Sequence, residues 1–124
     1  MKVATWNVNG IRARAAQIEE WLARERPDVV CLQELKAEQS QIPEQCKSAD
    51  YHAYWHCLKA YSGVSLMLRK ERFGAEPVYS HPAFDYESRI VQVERDDLVI
   101  ASVYVPNGGK DYPAKLNFLT LMID

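Results

Sequence analysis

The 124-residue sequence predicts a mixed α/β fold. Three observations carry this: a strand-helix-strand opening, a following series of short strand-type runs, and polar residues standing where apolar runs stop. Lys2 to Asn7 carries strand-type residues and leads into the turn signal Asn9-Gly10. Ala15 to Glu25 sets Ala15, Ile18, Trp21 and Leu22 at helical spacing, so the helix covers a sheet with one face. Arg26-Pro27-Asp28 stops it, because the residue before a proline is pushed out of helical geometry. Val29 to Leu32 is then an unbroken apolar run, the composition of a strand buried on both faces. A strand, helix, strand unit is normally a right-handed crossover between parallel strands. It brings the chain ends that carry Asn7 and Glu34 to the same edge.

Further along, Tyr51 to Leu58, Val64 to Arg69, Ile90 to Glu94 and Leu98 to Val105 read as short strands separated by Ser-Gly, Pro-containing and Asp-Asp turns. Leu116, Leu119 and Met122 begin a helical pattern that runs to Asp124. No internal repeat, low-complexity tract or flexible linker interrupts the chain, which is expected to lie within one domain.

Composition narrows the function classes. About half of the residues are apolar (48%), enough to bury a modest core, and the net charge of −2 supplies no global basic field for nucleic acid. Any contact with DNA must come from a local patch. Cys31, Cys46 and Cys57 are odd in number, widely spaced and outside any C-x-x-C arrangement, which argues against a cysteine zinc site and a disulfide framework. No apolar stretch approaches the roughly 18 residues of a membrane span. The expectation is a cytoplasmic protein with no membrane partner.

Asn7, Glu34 and Tyr104 each end an apolar run, and all three are expected at one rim of the sheet, facing a shared cleft. Singly they are weak. Asn7, Asn9 and Gly10 also read as a plain strand-to-helix turn, and Tyr104 as an ordinary strand aromatic with its hydroxyl at the surface. Glu34 is harder to dismiss, since a carboxylate directly after four buried residues is costly unless it reaches solvent, a partner or a cation. Trp6, Trp21 and Trp55 read as core, and His52, His56 and His81, which lack metal-ligand spacing, as surface or structural.

Four motifs then stand in order: Trp6-Asn7-Val8-Asn9-Gly10-Ile11-Arg12-Ala13, Leu32-Gln33-Glu34-Leu35-Lys36, Tyr61-Ser62-Gly63-Val64 and Val103-Tyr104-Val105-Pro106-Asn107-Gly108-Gly109. In order and spacing the chain resembles the exonuclease III type of apurinic/apyrimidinic endonuclease, within the endonuclease/exonuclease/phosphatase superfamily. The resemblance runs from residue 1 through Leu119 and covers about half of the family domain. It implies a four-layered α/β sandwich of the deoxyribonuclease I-like type, of which residues 1–124 are the N-terminal part. It also implies Mg²⁺-dependent cleavage of DNA phosphodiesters at abasic sites, with 3′ to 5′ exonuclease and 3′-phosphatase activity. The partner it implies is double-stranded DNA with abasic sites or 3′ ends, bound by a monomer when complete; Mn²⁺ is the alternative ion.

Residue by residue, the resemblance makes Glu34 a direct Mg²⁺ ligand with Asn7 beside the metal, and Asn9 a residue that orders the site. Magnesium favours such hard oxygen ligands and needs only one or two protein carboxylates where phosphate oxygens and water complete its octahedron. Tyr104 contacts the scissile phosphate as proton donor or stabiliser, and Arg12, Lys36, Tyr61 and Arg89 form a local DNA-binding strip. The family's later Gly-Asp-Leu/Met-Asn segment, whose Asp activates water, and its terminal Ser-Asp-His segment are absent from residues 1–124. These residues alone are therefore expected to be inactive. The alternatives are a non-catalytic remnant or binding module of the same fold, and another phosphodiesterase of the superfamily such as a retroelement endonuclease. Asn9-Gly10-Ile11-Arg12-Ala13 and Tyr61-Ser62-Gly63-Val64 favour the DNA-repair branch.

Overall fold

A computed structural model describes residues 1–58, 60–95, 97–107, 109 and 112–123. Gly108 of the fourth motif, Asp96 of the Asp-Asp turn and Asp124 lie outside the described residues. The strand β1 (Val3–Asn7) is followed by helix α1 (Ala15–Glu25) and strand β2 (Val29–Gln33). Then come β3 (Tyr51–His56), β4 (Val64–Arg69), the one-turn helix α2 (Lys70–Phe73), β5 (Tyr79–Ser80), β6 (Ile90–Arg95), β7 (Leu98–Val103) and helix α3 (Tyr112–Ile123). A four-stranded sheet has the order β1-β2-β4-β3, and a three-stranded sheet the order β5-β6-β7.

The opening crossover forms as its pattern requires. β1 and β2 are parallel, with Val3 opposite Val29 and Asn7 opposite Gln33, so both strands leave the sheet at one edge. Helix α1 buries Ala15, Ile18 and Leu22 and ends where Arg26 turns left-handed (φ 43°), its amide bonded to the Leu22 carbonyl. All five residues of β2 are buried. Because strand side chains alternate between faces, Val30 and Leu32 join α1, Tyr51, Trp55 and Met67 in one core. Val29 and Cys31 meet Leu66, Leu68, Val91 and Val93 in a second core between the two sheets. The described residues thus stack a helix layer on two packed sheets, the layering of the α/β sandwich. Trp55 is buried in the first core, while Trp6 and Trp21, partly buried, pack against its margin in an edge-on ring contact.

Several pieces lay outside the hydrophobic pattern. The two-residue strand β5 and the helix α2 are too short for periodicity to register. The strand ending in Val103 is shorter than the run to Val105, which places Tyr104 just past the sheet. Cys31, Cys46 and Cys57 are free thiols, and burial pushes each up to about 11, so none is a thiolate at neutral pH. No helix among the described residues is long and apolar enough to cross a membrane.

Asp28 ties the first sheet together where β2 begins. Its Oδ2 accepts the Lys2 amide at 2.7 Å and its Oδ1 pairs with Arg69 at the end of β4. The Lys2 hydrogen bond first, and Arg69 next, hold its carboxyl below the ordinary 3.8. The folded form therefore binds fewer protons than the unfolded chain as pH falls through 3.8, and the stability that Asp28 supplies above that value disappears through the lower folded pKa. Acid titration of unfolding should show this loss, and Asp28→Asn should flatten it while lowering stability at pH 7. In the inter-sheet core, Leu66→Ala should cost about 2–5 kcal/mol in urea unfolding, since Leu66 is wholly buried.

Candidate functional site

The site begins where β1 and β2 leave the sheet. Their ladder continues beyond the strands, with Val8 N bonded to Gln33 O at 3.0 Å, Gly10 N to Glu34 O at 2.8 Å and Ile11 N to Leu35 O at 3.0 Å. This keeps Asn9 and Glu34 side by side after both chains have turned. Asn9, Glu34 and Lys36 all adopt left-handed backbone (φ 47°, 56° and 51°), a conformation that costs a non-glycine residue on the order of 1–3 kcal/mol. The turn is held by the Asn9 amide donating to Asn7 Oδ1 at 3.1 Å. Lys36 Nζ donates to Asn9 Oδ1 at 2.7 Å and lies 3.6 Å from Glu34 Oε2.

The Tyr61-Ser62-Gly63 loop docks on the same segment: the Leu35 amide donates to Gly63 O at 3.1 Å and the Lys36 amide to Ser62 O at 3.0 Å. Gly63 sits at φ +89°, and a Cβ there would lie 3.1 Å from Leu35 Cβ, so only glycine allows this approach. The motif therefore has a packing reason, and it carries Tyr61 to the rim.

The second sheet brings the opposite wall. Gln33 Nε2 contacts Ser102 Oγ at 3.4 Å and Ser102 Oγ donates to Leu32 O at 3.3 Å, a buried polar link between β2 and β7. One step past β7, the Tyr104 hydroxyl donates to Glu34 Oε1 at 2.6 Å. Burial first, and the Glu34 carboxylate next, raise the Tyr104 phenol above its ordinary 10, so it is protonated at neutral pH. The Arg89 guanidinium lies over the Tyr104 ring at 4.7 Å and the Tyr86 ring at 5.6 Å. Its Nη2 donates to Glu87 Oε1 at 3.1 Å. Burial alone would raise Glu87, but hydrogen bonds from Arg89 and Tyr61 outweigh it and hold that carboxyl below its ordinary range.

Between these walls is a cleft of about 700 Å³ whose lining includes Glu34, Lys36, Tyr61, Glu87, Arg89 and Tyr104. Buried Ser62 Oγ and Arg89 Nε have no hydrogen-bond partner, and both residues line the cleft. The structure thus brings Glu34, Lys36, Tyr61, Arg89 and Tyr104 to one cavity. Asn7, Asn9 and Arg12 do not line it: Asn9 is joined to it through Lys36 and Asn7 through the Asn9 amide, while Arg12 is exposed and donates to Lys36 O at 3.0 Å. Sequence reasoning missed Tyr86, Glu87 and the unpaired Ser62 hydroxyl. Ser62 stood inside a quoted motif, whereas Tyr86 and Glu87 lie in an aperiodic stretch whose only signal was its closeness to Arg89. His56 and His81 lie outside this cleft, stacked on each other at 3.8 Å, a meeting that no spacing announces.

The Glu34–Tyr104 contact has a direct readout. Spectroscopic titration, referenced to Tyr104→Phe, should place the Tyr104 phenol above 10. Glu34→Gln should bring it partway back, because the carboxylate contributes to the rise and burial would remain. An unmoved midpoint would mean that the two groups do not interact in solution.

The geometry can be set beside known proteins. A profile of the Endonuclease/Exonuclease/phosphatase family matches residues 4–119. The chain is 34% identical over 111 residues to an exodeoxyribonuclease of Bacillus subtilis, the match covering 86% of this chain and 43% of that protein. Its fold is similar to the structure of an AP endonuclease from Archaeoglobus fulgidus, with a TM-score of 0.82 and 28% identity over 98% of this chain and 49% of that one. It is also similar to a 3′-5′ exonuclease from Neisseria meningitidis, with a TM-score of 0.80 and 30% identity over 98% of this chain and 50% of that one. The chain spans about half the length of these relatives or less. With a match over nearly all of its described elements, the chain belongs to the Endonuclease/Exonuclease/phosphatase family.

Proposed function

We propose that residues 1–124 are the N-terminal part of one domain of a Mg²⁺-dependent DNA phosphodiesterase of base excision repair, acting on abasic sites and 3′ ends. The observation that carries the reading is the convergence of Glu34, Tyr104 and Arg89 on one cleft from three separate strand ends and turns. The donor set fits the ion. Glu34 Oε2 lies 3.6 Å from the Lys36 ammonium, outside hydrogen-bond distance, and Asn7 adds an amide oxygen at the adjoining strand end. Glu34 and Asn7 would hold Mg²⁺, with Mn²⁺ as an alternative, and the bound ion would supply electrostatic stabilisation of phosphate charge.

The rest of the assignment concerns the chain's own side chains. Lys36 fixes Asn9 and with it the turn that carries Asn7. Tyr104 Oη keeps its proton, which it gives to Glu34 Oε1 in the absence of substrate and would turn to the scissile phosphate as proton donor or stabiliser. Arg89, with its unpaired Nε, and Tyr61 bind the DNA backbone, with Arg12 extending that strip at the rim. Glu87, the other carboxylate lining the cleft among the described residues, is engaged by Arg89 and Tyr61. We assign activation of the attacking water to the family's Gly-Asp-Leu/Met-Asn segment, which residues 1–124 do not contain, and these residues alone are expected to be inactive. The comparisons support a nuclease of this class through the Bacillus and Archaeoglobus relatives.

Incision of a duplex with one abasic site, assayed with Mg²⁺, tests the reading. The complete protein should turn over and residues 1–124 should not; Glu34→Gln in the complete protein should lose at least about 100-fold in rate. Arg89→Ala should weaken DNA binding alike across sequences and reduce the salt slope by about one charge. Full activity of Glu34→Gln, or a change of base preference in Arg89→Ala with an unchanged slope, would contradict the assignments.

A further inference from the structure

At the exit of β3, His56 and His81 stack with ring centroids 3.8 Å apart and planes 18° apart, and His56 Nε2 lies 2.5 Å from Asp85 Oδ2. One ligand atom from each of the three residues falls within 4.8 Å of the others. We infer that His56, His81 and Asp85 form a zinc-binding site that clamps the 81–90 segment, and with it Arg89, to the end of β3. The inference stands apart from the nuclease reading, because Mg²⁺ prefers all-oxygen sites whereas two imidazoles and one carboxylate suit Zn²⁺.

His81 is held as metal-binding histidines are, its second nitrogen fixed by a hydrogen bond, while His56 Nε2, which now donates to Asp85 Oδ2, would give up its proton to bind the ion. His81 Nδ1 lies 3.0 Å from the Ile90 carbonyl, which can only accept, so Nδ1 carries a proton and in the neutral ring Nε2 holds the lone pair. That lone pair faces the Tyr54 hydroxyl at 3.1 Å, a donor that a cation would replace. Asp85 Oδ1 accepts the Arg89 amide at 2.9 Å and the Ile90 amide at 3.0 Å, which fixes the carboxylate and leaves Oδ2 on the histidine side. Ligands around a tetrahedral zinc ion are separated by roughly 3.3 Å. The ligand atoms now lie within 4.8 Å of one another, and reaching that spacing calls for a turn of the two rings out of their stack. Three protein ligands leave one position for water. The clamp would bear on the cleft through Asp85, since the same carboxylate that meets His56 caps the turn presenting Tyr86, Glu87 and Arg89.

The test is a titration of chelator-stripped purified protein with Co²⁺, followed by Zn²⁺ in competition with a chromophoric chelator. With excess Mg²⁺ present to fill the Glu34 position, one saturable equivalent is expected, with visible d–d absorption and no thiolate charge-transfer band, so the cysteines are not the ligands. His81→Ala and Asp85→Asn should each weaken Zn²⁺ binding by at least about 100-fold, and Glu34→Gln should leave it unchanged. Asp85→Asn keeps an oxygen for the Arg89 and Ile90 amides, and circular dichroism of each variant reads folding separately from binding. Absence of saturable binding, a thiolate band, binding that survives Asp85→Asn, or binding lost with Glu34→Gln would each overturn the proposal.

Discussion

The whole arrangement depends on β2 being buried on both faces. A strand covered by α1 on one side and by the second sheet on the other has no room for a charge within its span, so the first carboxylate can appear only where the strand ends. Glu34 occupies that position with a left-handed backbone, and its carbonyl still serves the extended β1–β2 ladder. Burial thus decides where the charge sits, and the parallel ladder decides that Asn7 and Asn9 sit beside it. The strain of three left-handed residues is offset by the ladder, by the loop at Gly63 and by the Lys36–Asn9 bond.

The second wall follows from the same strand. Gln33 and Ser102 link β2 to β7 inside the sandwich, which fixes how far β7 slides along β2 and brings Tyr104 within 2.6 Å of Glu34. Two different sheets therefore share responsibility for one hydrogen bond. Arg89 enters through another route, from the turn before β6, where its carbonyl accepts the Tyr104 amide at 2.8 Å and its guanidinium covers the Tyr104 ring. The result is a cleft that pairs Glu34 with Lys36 and Glu87 with Arg89, a distribution suited to the cation and phosphate of the proposed function.

Much of this was legible in the sequence, for physical reasons that differ by element. Helix α1 matched its expected bounds because an amphipathic spacing and a proline stop mark both ends. β4 matched because an apolar run bounded by Ser-Gly and charged residues has one reading. The placement of Glu34 followed from the crossover. What could not be read was anything set by tertiary approach in aperiodic segments: the engagement of Glu87 by Arg89 and Tyr61, the meeting of His56 with His81 and Asp85, and the left-handed backbone at Glu34 and Lys36. None of these leaves a period, because each depends on where two distant turns come to rest.

The central claim is that the exit of β2 is the metal position of this family member. The most direct measurement is anomalous diffraction from crystals of the complete protein soaked in Mn²⁺. The account predicts a strong anomalous peak in contact with a Glu34 carboxylate oxygen, with the Asn7 side chain beside it. A peak elsewhere, with Glu34 bonded only to Tyr104 and Lys36, would contradict it.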